Sequence, residues 1–272
     1  MKLTQRLWHA HSIRTKLLAL ALLPLVLVLP VSMAVLVYFG GNSYDRLLTV
    51  KVRSDLAVAH SYFERVKEVL GRGIEALANS AQLERAYQQR GRGDSTALAG
   101  LLSDTKRELG VDFLHLYGAE GRLIASSGAR APLAMLDWKV TRDARSGKAA
   151  TAIDIFSAED LSQFDAALAE RALTPFIATE NATPTNRAAE SRGMVIHAAA
   201  PLRDEAGAVR AVVVGGSLLN KNLDFIDGLN EIVYPEGALP FGSQGTATLF
   251  LDDVRVATNV RLFEGARAIG TR

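Results

Sequence analysis

Cysteine is absent from the 272 residues, so disulfides and thiolate metal sites are excluded. Acidic residues are absent from the first 44 positions, while Lys2, Arg6, Arg14 and Lys16 fall among them. Catalytic signatures are missing too. The chain has no G-x-S-x-G elbow, no H-E-x-x-H helix and no phosphate-cradling G-x-x-x-x-G-K-[ST] loop. An excess of basic charge is only nominal. Setting aside the four basic residues at the start, the remainder carries 27 basic and 29 acidic groups, which gives no electrostatic basis for nucleic-acid binding.

What is present is a 23-residue apolar run, Leu17 to Phe39, without a charged side chain. About 20 apolar residues suffice for a helix to cross the bilayer core, and basic flanks stay in the cytoplasm. The run predicts a transmembrane helix with the N-terminus inside and everything from about Gly40 onward outside. The alternative is a cleaved leader with Ser32-Met33-Ala34 as its processing site. Against it, Val35 to Phe39 continue the run past that site, and signal cores are shorter. Pro24 and Pro30 are tolerated in membrane helices.

From Tyr44 to Gln89 apolar residues recur at steps of three and four, including Leu56, Ala59, Phe63, Val66, Leu70, Ile74 and Leu77. The mean step of about 3.7 predicts one long amphipathic helix. Its distal half is expected to cover the following domain, and its membrane-near half to pair with a second copy of the chain. Gly91 to Ser95 ends this helix, and another runs to Leu109 with Gly110 as its stop. The period then changes. Asp112–Tyr117 and Arg122–Ser126 read as a hairpin through the Gly118–Gly121 turn. Leu133–Arg145 reads as a helix and Ala150–Phe156 as a strand. Ser157 and Asp160 form a capping box opening a helix to Leu173. Thr174–Arg192 is polar and loop-like. Met194–Leu202 and Ala208–Leu219 form a second hairpin, Asn220–Ile232 a helix, and Thr246–Leu251 with Arg255–Asn259 a third strand pair around Asp252-Asp253.

Lone histidines on strands, His115 and His197, are read as structural residues in the first instance. Asn181-Ala182-Thr183 and Arg92-Gly93-Asp94 carry no function in this context. Five residues are candidates for lining a ligand pocket: Tyr117 at the end of its strand, Trp138 and Arg142 four apart on one helix face, Asp154 interrupting an apolar strand, and His197. Aromatic rings beside Arg and Asp suit a small charged or zwitterionic ligand. No cofactor, metal or catalytic residue is expected.

This order resembles the double Cache (dCache) sensor domains of bacterial transmembrane receptors. The matching pieces are Asp112-Phe113-Leu114-His115-Leu116-Tyr117 with its turn, Phe156-Ser157-Ala158-Glu159-Asp160-Leu161, Ala200-Pro201-Leu202-Arg203-Asp204 with Gly207, Val212 to Gly216, and Gly245 to Leu251 with Val256 to Val260. The resemblance implies an α+β chain with a transmembrane helix, a long amphipathic helix, a PAS-like antiparallel sheet flanked by helices, and the start of a second PAS-like unit. The expected divisions are a cytoplasmic tail at 1–16, the membrane helix at 17–39, the helical lead-in at 40–110, a membrane-distal unit at 111–232 and an incomplete membrane-proximal unit at 233–272.

The resemblance further implies a non-enzymatic periplasmic sensor in the bacterial inner membrane, homodimeric through the long helix. It would bind an organic acid or amino acid between the sheet and residues 130–195, shift the long helix, and belong to a longer receptor. The output is most like a histidine kinase, with a chemoreceptor or cyclic-dinucleotide enzyme as alternatives. Amino-acid-binding members carry a tyrosine-arginine-tryptophan pattern with a downstream aspartate. Leu136-Asp137-Trp138-Lys139 does not fit its spacing, so no ligand identity transfers. A membrane-anchored periplasmic enzyme and a partner-regulating structural protein are the competing classes.

Overall fold

The computed structural model describes residues 13–90, 96–128, 130–180, 182–239, 243, 245–262 and 265–272. The basic residues Lys2 and Arg6, the expected helix break at Gly91 to Ser95, and Asn181 lie outside them. The chain divides into two compact units, Met1–Ala57 and Val58–Arg272.

Helix α1 (Ile13–Ala78) contains the apolar run together with Pro24 and Pro30. In the first unit, exposed apolar side chains include Leu25, Val28 and Val35, and further on Val52 and Leu56. Lys51 pairs with Asp55 one turn away at 3.3 Å. Several side chains of the run lie outside the described residues. Among the described residues no helix is long and apolar enough to cross a membrane, and the expected span therefore rests on the sequence alone.

The second unit is built on a five-stranded antiparallel sheet. Its strands are β1 (Phe113–Gly118), β2 (Leu123–Ser126), β3 (Ala150–Phe156), β6 (Gly193–Arg203) and β7 (Val209–Leu218), in the order β2-β1-β7-β6-β3. The fold is thus α+β and PAS-like, as expected. The two long strands β6 and β7 sit centrally and are buried on both faces, which explains their continuous apolar character.

One face carries Leu114, Leu116, Ile196, Ala198 and Val213 and packs against Leu70, Ile74 and Leu77 of α1, with helices α2 (Ala81–Arg90) and α3 (Thr96–Leu109) completing the layer. Close approach of α1 depends on Gly215. A Cβ there would stand 2.6 Å from Ile74 Cδ1. The opposite face carries Phe113, Tyr117, Phe156, Val195 and Val214. It is covered by α4 (Lys139–Arg145), α5 (Ala158–Phe164) and α6 (Ala166–Ala172). Two short strands, β4 (Thr174–Pro175) and β5 (Ala189–Glu190), pair with each other, and α7 (Leu223–Val233) leads to the hairpin β8 (Thr248–Leu251) and β9 (Val254–Thr258).

Four sequence expectations need correction. The long helix does not run to Gln89. It ends at Ala78 and restarts at Ala81, because the Ser80 hydroxyl accepts from the Leu83 amide at 3.1 Å and caps a new helix. The helix expected from Leu133 begins only at Lys139. Residues 133–135 are instead drawn to the β1–β2 hairpin, where Leu123 N donates to Leu133 O at 3.0 Å and Met135 N to Gly121 O at 2.8 Å. The helix expected to reach Leu173 is split at Asp165, whose extended backbone (φ −163°, ψ 134°) and carboxylate cap α6 by accepting from Ala167 N. The polar loop 174–192 contains the β4–β5 pair. The capping box at Ser157 and Asp160 forms as expected, as do the Gly110 stop at φ 63° and the Asp252-Asp253 turn of the last hairpin.

Candidate ligand site

Strand alternation sets the site. Phe113, His115 and Tyr117 occupy successive odd positions of β1 and face the α4–α6 side, as do Val195, His197 and Ala199 of β6. Across the sheet, His197 lies opposite Ala152 on one side and Gly216 on the other, and Gly216 lies opposite Phe113. Gly216 is the spacer in this row. A Cβ there would meet the Phe113 ring at 2.8 Å, His197 Cβ at 2.8 Å and Ile196 O at 2.6 Å.

Asp154 lies opposite Val195, two residues from the His197 register, and is reached diagonally. The His197 Nε2–H donates to Asp154 Oδ2 at 2.8 Å. His197 is 1% exposed, while Asp154 keeps about a third of its side chain in solvent. Burial lowers the His197 pKa and outweighs the opposing pull of Asp154, so the ring is a neutral imidazole.

Rings close the site. Trp138, at the start of α4, stacks on Phe156 with centroids 4.6 Å apart and planes 4° apart, and both stand edge-on to His197. Phe164 of α5 bridges Phe156 to Phe113 and His115. Among the described residues, two polar atoms in this cluster are buried without a hydrogen-bond partner: Trp138 Nε1 and His115 Nε2. The Ser126 hydroxyl donates to the carbonyls of Gly128 and Arg130, leaving Ser126 Oγ to accept from His115 Nδ1–H at 3.1 Å. His115 Nε2 is then a bare acceptor, and burial, helped by Lys106, lowers its pKa to about 4. The site thus presents one free donor, the indole N–H, and one free acceptor, with the Asp154 carboxylate at its edge.

Of the five candidates, Trp138, Asp154 and His197 are brought into one cluster. Tyr117 lies buried on the same sheet face and meets His115 edge-on at 6.1 Å, and burial raises its pKa. Arg142 is not brought in. Trp138 is the N-cap of α4 and shares its first turn with Arg142, whose amide donates to the Trp138 carbonyl at 3.0 Å, but the guanidinium turns outward to the Asp137 carbonyl at 2.8 Å and carboxylate at 3.2 Å. The sequence reading passed over Phe113, Phe156, Phe164 and the free Nε2 of His115. The period-two spacing of Phe113, His115 and Tyr117 is the signal for a shared face.

Ion pairs pin the covering segment. Arg171 of α6 forms a two-pronged pair with Asp112 at the head of β1, and Asp112 also accepts from Leu218 N at 2.7 Å. Farther along, the buried Glu190 accepts from Arg187, Arg192 and the amides of Ser191 and Arg192. Burial pushes the Glu190 pKa up, but these donors outweigh it and hold it at about 2. Arg192 also reaches Asp252 of the β8–β9 turn at 2.6 Å.

With this geometry in hand, the kinship of the chain is informative. Residues 217–272, from the end of β7 through β9 and beyond, match the family model described as single Cache domain 3. The resemblance to Cache sensor domains is therefore carried by a sequence match in that segment, and the unit has the PAS-like sheet expected of it. The matching model is that of a single Cache domain. No curated protein matches the chain.

Among solved structures, the chain is similar to the periplasmic domain of Vibrio cholerae LuxQ at 14% identity and TM-score 0.48, covering 80% of this chain and 82% of that one. It is similar to the sensor domain of the V. cholerae histidine kinase DctB at 13% identity and TM-score 0.46, covering 68% and 60%. The ligand-binding domain of the Pseudomonas aeruginosa PAO1 amino acid chemoreceptor PctC, in complex with GABA, gives 13% identity and TM-score 0.34, covering 69% and 66%. These superpositions are loose, and the chemistry of the site rests on this chain's own residues.

Proposed function

We propose that this chain is the extracytoplasmic small-molecule sensing module of a transmembrane signalling receptor, with the ligand held between the sheet and the α4–α6 cover. The observation that carries this reading is the unpartnered, buried indole N–H of Trp138 beside the His197–Asp154 pair. A buried donor without a partner is costly, and a ligand oxygen would relieve that cost. Asp154, part-exposed and hydrogen-bonded to the neutral His197 ring, has no Lys or Arg partner among the described residues and suits a ligand ammonium. A small amine-bearing organic acid, such as an amino acid, satisfies both ends.

Rings occupy the site in the present arrangement, so a ligand enters by parting the cover from the sheet. It selects the opened state by binding it better than the closed one. The sheet carries that change to its other face, where α1 packs. In this reading the run Leu17–Phe39 is a membrane anchor, the second unit is periplasmic, α1 pairs with a second copy, and β8–β9 begins a further PAS-like unit. The chain itself catalyses no reaction, and its output is of the histidine-kinase type.

The test is thermal unfolding of the full chain in lipid nanodiscs against amino acids, amines, organic acids and polyols. A ligand at a hundredfold its Kd stabilises by about 2.7 kcal/mol, a readily measured rise in Tm. Failure of every compound to raise Tm would overturn the reading, and turnover of any of them would favour an enzyme.

A further inference from the structure

On the far side of β6 from the aromatic cluster, a slot of ≈ 350 Å³ opens between α1, the α3–β1 junction and the start of α7. Its walls are apolar: Val66, Val69, Leu70, Leu109, Leu219 and Phe225. A polar recess of ≈ 360 Å³ adjoins it, sharing Gly110, Ser217 and Asn222 with the slot and lined further by Asp112, Arg171, Lys221 and Asp224.

The charges there are unequal in their commitments. Arg171 and Asp112 pair through the two terminal guanidinium nitrogens, while Arg171 Nε is buried without a partner among the described residues. Lys221 is half-buried, and its ammonium donates to the Leu173 carbonyl at 2.5 Å. Among the described residues no carboxylate lies within 4 Å of it, and burial lowers its pKa. Arg65 stands at the slot's exposed rim, likewise without an acidic partner among the described residues. Besides Asp112, the recess lining carries the Asp224 carboxylate, set in the solvent-exposed first turn of α7. A partly desolvated ammonium lacking a counter-charge, next to an apolar slot, matches an anionic head on an aliphatic body.

We propose that this slot and recess form a second ligand site, which takes an amphipathic carboxylate with its chain among Val66, Leu109 and Phe225 and its head at Lys221. The site does not depend on the reading of the aromatic cluster. Its occupant touches α1 directly, through Val66, Val69 and Leu70, and so bears on that helix from the face opposite the first site. Each methylene that the slot buries tightens binding about fourfold, until the slot is filled.

The experiment is calorimetric titration of the full chain in nanodiscs with butanoate, hexanoate and octanoate, with empty nanodiscs subtracted and 1-octanol as the uncharged control. The expected result is binding that strengthens from butanoate to octanoate, with octanol weaker than octanoate. Lys221→Asn removes the charge, and asparagine suits the left-handed backbone at that position (φ 54°). It is expected to weaken octanoate at least tenfold and leave octanol unchanged. Val69→Trp fills the slot from a position that is 62% exposed, and is expected to abolish binding of both. Absence of octanoate binding to the folded wild-type chain overturns the site. Binding that survives Val69→Trp overturns its location, and binding indifferent to Lys221→Asn overturns the assigned head.

Discussion

The Nε2–H of His197 donates to the Asp154 carboxylate across 2.8 Å, from a ring that is 1% exposed to a side chain that is about a third exposed. The pair joins the central strand β6 to the edge strand β3 and fixes the imidazole tautomer. Asp154→Ala leaves a buried N–H without a partner and is expected to cost about 1–3 kcal/mol, whereas Asp154→Asn keeps an acceptor and costs less. Urea unfolding of the two variants checks the ranking. Equal losses would mean that the carboxylate's packing, rather than its hydrogen bond, matters.

Trp138→Phe separates stability from binding. The phenyl ring keeps the stack on Phe156 and removes the orphaned indole N–H. Tm is expected to stay level or rise by an amount worth about 1 kcal/mol, since a buried unsatisfied donor is lost. The Tm rise given by a ligand that stabilises the wild type is expected to shrink. An undiminished ligand response would remove Trp138 from the site.

The sheet and its hairpins were legible because period-two alternation and Gly-rich turns are local signals. Ala150–Phe156 and the Ser157 capping box emerged as expected for the same reason. What was not legible depends on contacts distant in sequence. Residues 133–135 have a helix-compatible composition, yet the β1–β2 hairpin offers them hydrogen bonds and takes them. Trp138 and Arg142 do share the first turn of α4 at the expected spacing, but Asp137 draws the Arg142 guanidinium outward, which helical spacing could not foretell. Asp165 carries no apolar signal, but its carboxylate caps a new helix and splits the expected one. The site is half legible on the same grounds. Asp154 and Trp138 stand out by residue type, while the orphaned atoms on Trp138 and His115 follow only from tertiary packing.

Adjacent glycines in β7 face opposite sides and respond differently to a methyl group. At Gly215 the atoms inside 3 Å of a new Cβ are two side-chain tips, Ile74 Cδ1 at 2.6 Å and Leu114 Cδ1 at 2.8 Å, and the nearest backbone atom, Phe113 O, stands at 3.3 Å. At Gly216 the nearest atom is the backbone oxygen of Ile196, at 2.6 Å, with His197 and Phe113 also inside 3 Å. Gly216→Ala is therefore expected to destabilise by about 1–3 kcal/mol and Gly215→Ala by less, since overpacking costs more where neighbours cannot give. Chemical unfolding of both variants measures the difference, and a Gly215→Ala loss equal to or larger than that of Gly216→Ala would contradict the assigned faces.

Acid should loosen the domain through its buried histidines. His115 has its pKa lowered to about 4 in the fold, first by burial and then by Lys106, against about 6.5 in an unfolded chain. Below pH 6.5 the unfolded state binds the proton more readily, so stability falls with pH. The contribution of His115 is full above pH 6.5 and is lost as pH drops through 4, in total roughly 3 kcal/mol. His197 acts in the same direction, since burial lowers its pKa as well. Glu190, held at about 2, adds its loss only below its unfolded value of about 4.5. His115→Phe keeps an apolar ring against Phe164 and removes the titration, at the expense of the Ser126 hydrogen bond. Its stability at pH 7 is expected to lie within about 1.5 kcal/mol of wild type, the net worth of one hydrogen bond. Its decline between pH 6.5 and 4 should be visibly shallower in urea titrations at stepped pH. A variant that follows the wild-type slope would show that His115 is protonated without cost, and that its Nε2 already has a partner in solution.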